Sequence, residues 1–192
     1  MEVARSTGSL ASRAHAGDAA ALNELLGELR PLVVKTARLV VGSGSWAAED
    51  AAQEALLDIS QGIGKLRDPS VVTTWALRVA TRRALKVARR ERLLRLRTAP
   101  GVEELQGTAP AEGREAALKK GFDHLPPRLR ATAVLRLQAG LSEEETADVL
   151  GCSVGTVKSN LHDARKRLTR SLTEAGYVPT VERRKESRND HA

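Results

Sequence analysis

With 192 residues and a formal net charge of +7, the chain is long enough for two small domains and basic enough to favour a polyanionic partner. Aromatic residues make up only 2 % of it, so a core must be built from Leu, Val, Ala and Ile, which suits helices packed on helices. The single cysteine, Cys152, excludes an intrachain disulfide; the absence of a signal-like N-terminal run or an apolar stretch of about 18 residues predicts a soluble cytoplasmic protein.

In chain order, Asp18 is a good N-cap for a helix in which Leu22, Leu25, Leu26, Leu29, Val33, Ala37 and Val40 recur at three- and four-residue steps. Pro31 predicts a kink or a division within it. Gly42-Ser43-Gly44-Ser45 predicts a turn, and Trp46 to about Ile63 a second helix with Ala51, Ala55, Ile59 and Ile63 as its inner stripe. Gly62, Gly64 and Asp68-Pro69 break the pattern, after which Ser70 is expected to cap a long helix reaching roughly Arg97. From Arg78 to Arg97 that helix carries nine Lys/Arg residues against the single acid Glu91. The next segment, 98–113, is rich in Gly, Pro and Ala, has no apolar period and reads as a flexible linker. Beyond it come a helix from Arg114 to His124, a Pro126-Pro127 break, a helix to about Ala139 and two more after Leu141. The tail from Pro179 is polar, mixed in charge and expected to be disordered.

The most informative stretch is Leu141–Leu168. Ser142 and Glu145 form an S-x-x-E capping box, Gly151 supplies a left-handed helix end, and Ser153 caps a second helix three residues later. Short helix, glycine turn, longer helix is the pattern of a DNA-binding helix-turn-helix. At 100° per residue the second helix turns Val154, Val157, Leu161, Ala164 and Leu168 inward. Gly155, Thr156, Ser159, His162, Asp163 and Lys166 fall opposite, with Lys158 and Asn160 on the flanks and a basic end at Arg165–Arg167 suited to phosphates. Cys152 in the turn reads as a small buried residue.

This stretch resembles the sigma-4 domain of the extracytoplasmic-function (ECF) RNA polymerase sigma factors of the sigma-70 family, as does the preceding LPPRLRATAVLRLQAGLSEEETADVLG. In the N-terminal half, AHAGDAAALNELL resembles the family's opening helix. WAAEDAAQEALLDI resembles its polymerase-docking helix, and TTWALRVATRRALKVARRER the helix that melts and reads promoter DNA. The resemblance implies an all-α chain of two small helical domains. A sigma-2-like bundle spans 1–98, a linker 99–113, a sigma-4-like helix-turn-helix domain 114–177 and a disordered tail 178–192.

The same resemblance implies residue roles. Asp50, Gln53 and Glu54 fall on positions used to bind core polymerase, and Asp58 shares their face by i, i+4 spacing. Trp75 offers a stacking surface at the −10 element, and Arg78, Arg82, Arg83, Lys86, Arg89 and Arg90 can track a phosphate backbone. Ser153, Gly155, Thr156, Lys158, Ser159, Asn160, His162, Arg165 and Lys166 would read or hold the −35 element. The sequence departs from the family at Arg82, where Asn is usual, and at Asn160 and Asp163, where Arg is common; Trp75 is the lone aromatic of its helix. Core RNA polymerase and promoter DNA are the implied partners, an anti-sigma factor is left open as a third, and membrane insertion is not expected. A sigma-like regulator that melts promoters weakly is the competing reading. An enzyme has little support: His15, His124, His162 and His191 are scattered, and no metal cluster, phosphate-binding glycine loop or nucleophile–base pair stands out, so no cofactor or metal is expected.

Overall fold

The computed structural model describes residues 2–42, 45–98 and 113–177, and these are helical with no strand among them. Eight α-helices follow in order: α1 (Glu2–His15), α2 (Ala19–Val41), α3 (Ala47–Gly62), α4 (Val72–Thr98), α5 (Arg114–Asp123), α6 (Pro127–Ala133), α7 (Glu143–Leu150) and α8 (Val154–Glu174). Short 3-10 turns lie between α3 and α4, and a π turn, Val134–Gln138, extends α6. No described helix is long and apolar enough to cross a membrane. The expected tail, 178–192, and the expected linker, 99–113, apart from Gly113, lie outside the described residues.

Helices α1 to α4 pack around one core. Along α2, Ala21, Leu25, Leu29, Val33, Ala37 and Val41 step by four and are all buried, which gives the helix one inner ridge. Opposite it stand Ala48, Ala51, Ala52, Ala55 and Ile59 of α3, and Ala76, Ala80 and Ala84 of α4. Alanine at the contacts lets the backbones approach closely, so few large side chains suffice. Each fully buried Leu, Ile or Val, such as Leu25, Ile59 or Val33, contributes roughly 1.5–3 kcal/mol.

Three expectations change at this level. Pro31 does not divide α2, which runs unbroken from Ala19 to Val41 with the proline on an exposed side. Helix α1 was not anticipated; its buried Thr7, Leu10, Ala11 and Ala14 carry a short three- and four-residue period, and Thr7 donates to Glu28 of α2 at 2.7 Å. The cap before α4 is Asp68, which accepts from the Ser70 N–H at 2.9 Å, and α4 itself starts at Val72. Asp18 caps α2 as expected, through Ala20 and Ala21. The Ala21 N–H first, the Arg13 guanidinium second and the Ala20 N–H least hold its carboxyl below the usual range.

Helices α5 to α8 have a small core of their own, Leu125, Leu129 and Ala164 with Phe122 and Leu168. The larger core is nevertheless continuous across the two halves, since Ala131, Val134, Leu135, Leu141, Val149 and Leu150 pack into the same cluster as α2 and α4. Arg130 fixes the junction. The residue is 5 % exposed, and its guanidinium donates to the carbonyls of Val40 at 2.8 Å, Val41 at 2.7 Å and Asp123 at 2.9 Å. Two of those acceptors end α2, where free carbonyls and the negative pole of the helix favour a cation. Gly42, with φ +124°, turns the chain away and leaves room beside the guanidinium.

Candidate nucleic-acid interface

The helix-turn-helix forms as its sequence prescribes. The Ser142 hydroxyl accepts from the Glu145 N–H at 3.0 Å, and the Glu145 carboxylate accepts from the Ser142 N–H at 2.6 Å. Gly151 ends α7 in the left-handed region at φ +61°. Ser153 then caps α8 by accepting from the Thr156 N–H at 3.1 Å. Val157 and Ala164 are buried beneath α8, with Val154, Leu161 and Leu168 half-buried beside them. Gly155, Thr156, Lys158, Ser159, His162, Arg165 and Lys166 are exposed, so α8 turns small polar groups outward at its N-terminal end and cations further along.

Individual side chains on that face differ in freedom. The Ser153 and Thr156 hydroxyls are 2.9 Å apart and hydrogen-bonded to each other. Lys158 reaches back to Glu143 of α7 at 3.5 Å, an exposed pair that water and phosphate can replace at little cost. Asn160 is half-buried and donates to the Thr132 hydroxyl of α6 at 3.2 Å, which ties α8 to its support. Fully outward stand Ser159, His162, Arg165 and Lys166, beside Lys158, together with the acid Asp163. The Glu144 carboxyl in the first turn of α7 is held below its usual range chiefly by backbone and Ser142 hydrogen bonds, and also by the nearby charges of Lys158 and Arg136.

Helix α4 presents the second basic surface. Arg82, Lys86, Arg89 and Arg90 are exposed and Arg78 is half-buried, its Nε buried without a hydrogen-bond partner. These five cations line a groove of about 770 Å³ whose opposite wall is Arg128 and the Asp148–Gly151 end of α7. Arg128 also donates to the Leu150 carbonyl at 3.2 Å. One cation of the predicted set behaves differently. Arg83 faces α3, where it binds both oxygens of Asp58 at 2.6 Å and Glu54 at 2.9 Å. The hydrogen bond from Arg83 holds the Asp58 carboxyl below its usual range, and Asp58 and Glu54 in turn raise the Arg83 guanidinium.

The predicted acidic face of α3 thus divides. Asp50 and Gln53 are exposed, whereas Asp58 is turned toward α4 and Glu54 is shared with it. Helical spacing puts Trp46, 90 % exposed, and Leu57, 60 % exposed, on the same outer stripe as Asp50 and Gln53. Trp75 is half-buried over the end of α3 rather than standing free. Sequence reasoning missed Arg83 as a partner of α3 and Arg130 as the junction. The acids Glu54 and Asp58, four residues apart, were a signal for the first; no local pattern announces the second.

Comparisons with known proteins place these surfaces in a family. Residues 25–93 match sigma-70 region 2 and residues 116–168 match sigma-70 region 4. The chain is 32 % identical over 182 residues to the ECF RNA polymerase sigma factor SigM of Mycobacterium tuberculosis, covering 92 % of this chain and 88 % of that one. It is also 32 % identical over 184 residues to the ECF sigma factor SigD of Mycobacterium bovis, covering 88 % and 84 %. Among solved structures it resembles the sigma factor RpoE of Bartonella quintana in complex with the anti-sigma factor NepR, with TM-score 0.63, 25 % identity and coverage of 79 % and 96 %. The fold is also that of CnrH, solved with the cytosolic domain of CnrY, at TM-score 0.61, 22 % identity and coverage of 88 % and 98 %.

Proposed function

We infer from a chain that belongs to the ECF sigma factors of the sigma-70 family, and so directs RNA polymerase to promoters in transcription initiation, how its residues divide that work. Residues 1–98 bind core polymerase and open the −10 element, 99–113 connect, and 114–177 read the −35 element. Core polymerase meets the outer stripe of α3 at Asp50 and Gln53, with Glu54 at its edge and Asp58 beneath, held by Arg83. Arg78, Arg82, Lys86, Arg89 and Arg90 follow the backbone of the opened strand, and Trp75 stacks on a base. At the −35 element Ser159, Lys158 and His162 face base edges while Arg165 and Lys166 hold phosphates. Gly155 allows close approach, and Ser153, Thr156 and Asn160 set the helix in place. The protein acts as a regulatory subunit without chemistry of its own and works in the cytoplasm, where polymerase is. An anti-sigma factor is a third proposed partner, supported by the Bartonella relative held by one.

The observation that carries this reading is the outward polar and basic face of α8 behind a fully capped helix-turn-helix. Its test is run-off transcription with core polymerase on a promoter library randomised at the −35 element. Ser159→Ala and Lys158→Ala should each alter the ranking of the selected elements, and an unchanged ranking would remove α8 as the reader.

A further inference from the structure

Gly62 is the last residue of α3, with φ −95° and ψ −16°, a backbone any residue adopts. Conformation therefore does not explain the glycine; space does. A Cβ built there would lie 2.9 Å from Cζ2 and 3.1 Å from Cη2 of Trp75, closer than packed carbon atoms come. The indole rests its six-membered ring directly on the α3 backbone, half-buried and packed against the N-terminal core.

The atoms that a methyl group would strike belong to the far end of a side chain, not to backbone. A substitution at Gly62 would therefore be relieved by rotating the ring, leaving the helices where they are. On α4, Trp75 precedes Arg78 by three residues and Arg82 by seven, so the ring shares a side with two cations that would flank a strand. Indole is rigid, with two torsions, and the direction of its stacking face follows from what it rests on.

We propose that Gly62 is a positioning residue for promoter opening: its missing side chain seats the Trp75 indole in the orientation that stacks a −10 base beside Arg78 and Arg82. The proposal rests on the reading that Trp75 takes part in opening.

The test is a double-mutant cycle in the full chain with core polymerase, reading permanganate reactivity across the −10 region. Gly62→Ala should lower open-complex formation roughly two- to tenfold, the size of an off-rotamer penalty, with polymerase affinity and −35 preference unchanged. Trp75→Phe removes the two colliding atoms, so adding Gly62→Ala to it should cost nothing further. An equal loss in both backgrounds, or no loss beside Trp75, overturns the proposal. Tryptophan emission gives a second readout: in a Trp46→Phe background, Gly62→Ala should shift the Trp75 emission while the thermal melt stays in place. An unmoved emission also overturns it. Normal opening by Trp75→Ala would instead overturn the underlying reading of Trp75, and the emission shift would still report the seat.

Discussion

Two basic helices carry the charge that the proposed function assigns to DNA contact, and they stand in different surroundings. The outer face of α8 meets solvent, with Ser159, His162, Arg165 and Lys166 exposed above a core that holds the helix rigid. The cationic side of α4 shares a groove with the end of α7, and one of its arginines is spent on α3. A groove of about 770 Å³ has the size of a small-molecule pocket. The difference teaches that a count of cations does not measure a nucleic-acid surface; what each cation faces does. In this arrangement the outer face of α8 is open to solvent on its own, while the exposed cations of α4, Arg82, Lys86, Arg89 and Arg90, border a groove shared with α7.

The largest expected effect concerns the proposed docking of polymerase on α3. Asp50→Arg combined with Gln53→Arg should weaken co-purification with core polymerase at least a hundredfold, on the order of 3 kcal/mol for a charge reversal at an interface centre. Helicity by circular dichroism should stay unchanged, since both side chains are exposed. Retained binding would move the docking surface off α3.

Next is the junction that makes the α4 groove. Arg130→Met should cost about 2–4 kcal/mol in urea unfolding, because it strands buried carbonyls at the end of α2. If the junction is what holds α7 against α4, small-angle scattering should show a larger radius for the variant. An unchanged radius would show that the apolar contacts of Leu135, Leu141, Val149 and Leu150 suffice.

The contrast between the helices can be sharpened by single alanines. Ser159→Ala should relax specificity at one −35 position by about 1–3 kcal/mol, whereas Lys86→Ala should weaken all promoters alike and lower the salt slope by about one unit. Competition binding at two salt concentrations separates the outcomes, and identical behaviour of the two variants would erase the distinction drawn here.

The smallest effect belongs to Arg83. Because it is paired with Asp58 and Glu54 at the surface, Arg83→Ala should lower stability in urea unfolding only slightly. It should leave the salt slope of DNA binding near wild type. Asp58 has a depressed folded-state pKa, so the pair's contribution is complete above the unfolded value of 3.8 and is lost as pH falls through the folded value below it. Acid titration of Asp58→Asn against wild type should show the two stability curves converging below pH 3.8. A constant gap would mean that the pair contributes nothing.

Much of this was legible in the sequence because it is local. A capping box needs only Ser142 and Glu145, a left-handed helix end only Gly151, and an inner ridge only a four-residue period, so the helix-turn-helix and the core of α2 could be read without coordinates. Helix α1 was overlooked because its period is short and its moderately apolar positions, Leu10, Ala11 and Ala14, become a signal only beside α2. The partners of Arg83, the α2 partners of Arg130, the half-buried seat of Trp75 on Gly62 and the turn of Asn160 toward Thr132 join residues 13 to 90 positions apart in the chain. Sequence specified which residues were cationic, polar or small; the packing of helices decided which of them stay in solvent and which face each other, because a side chain's partner is set by distance in space, and periodicity along one helix carries no information about the helix beside it.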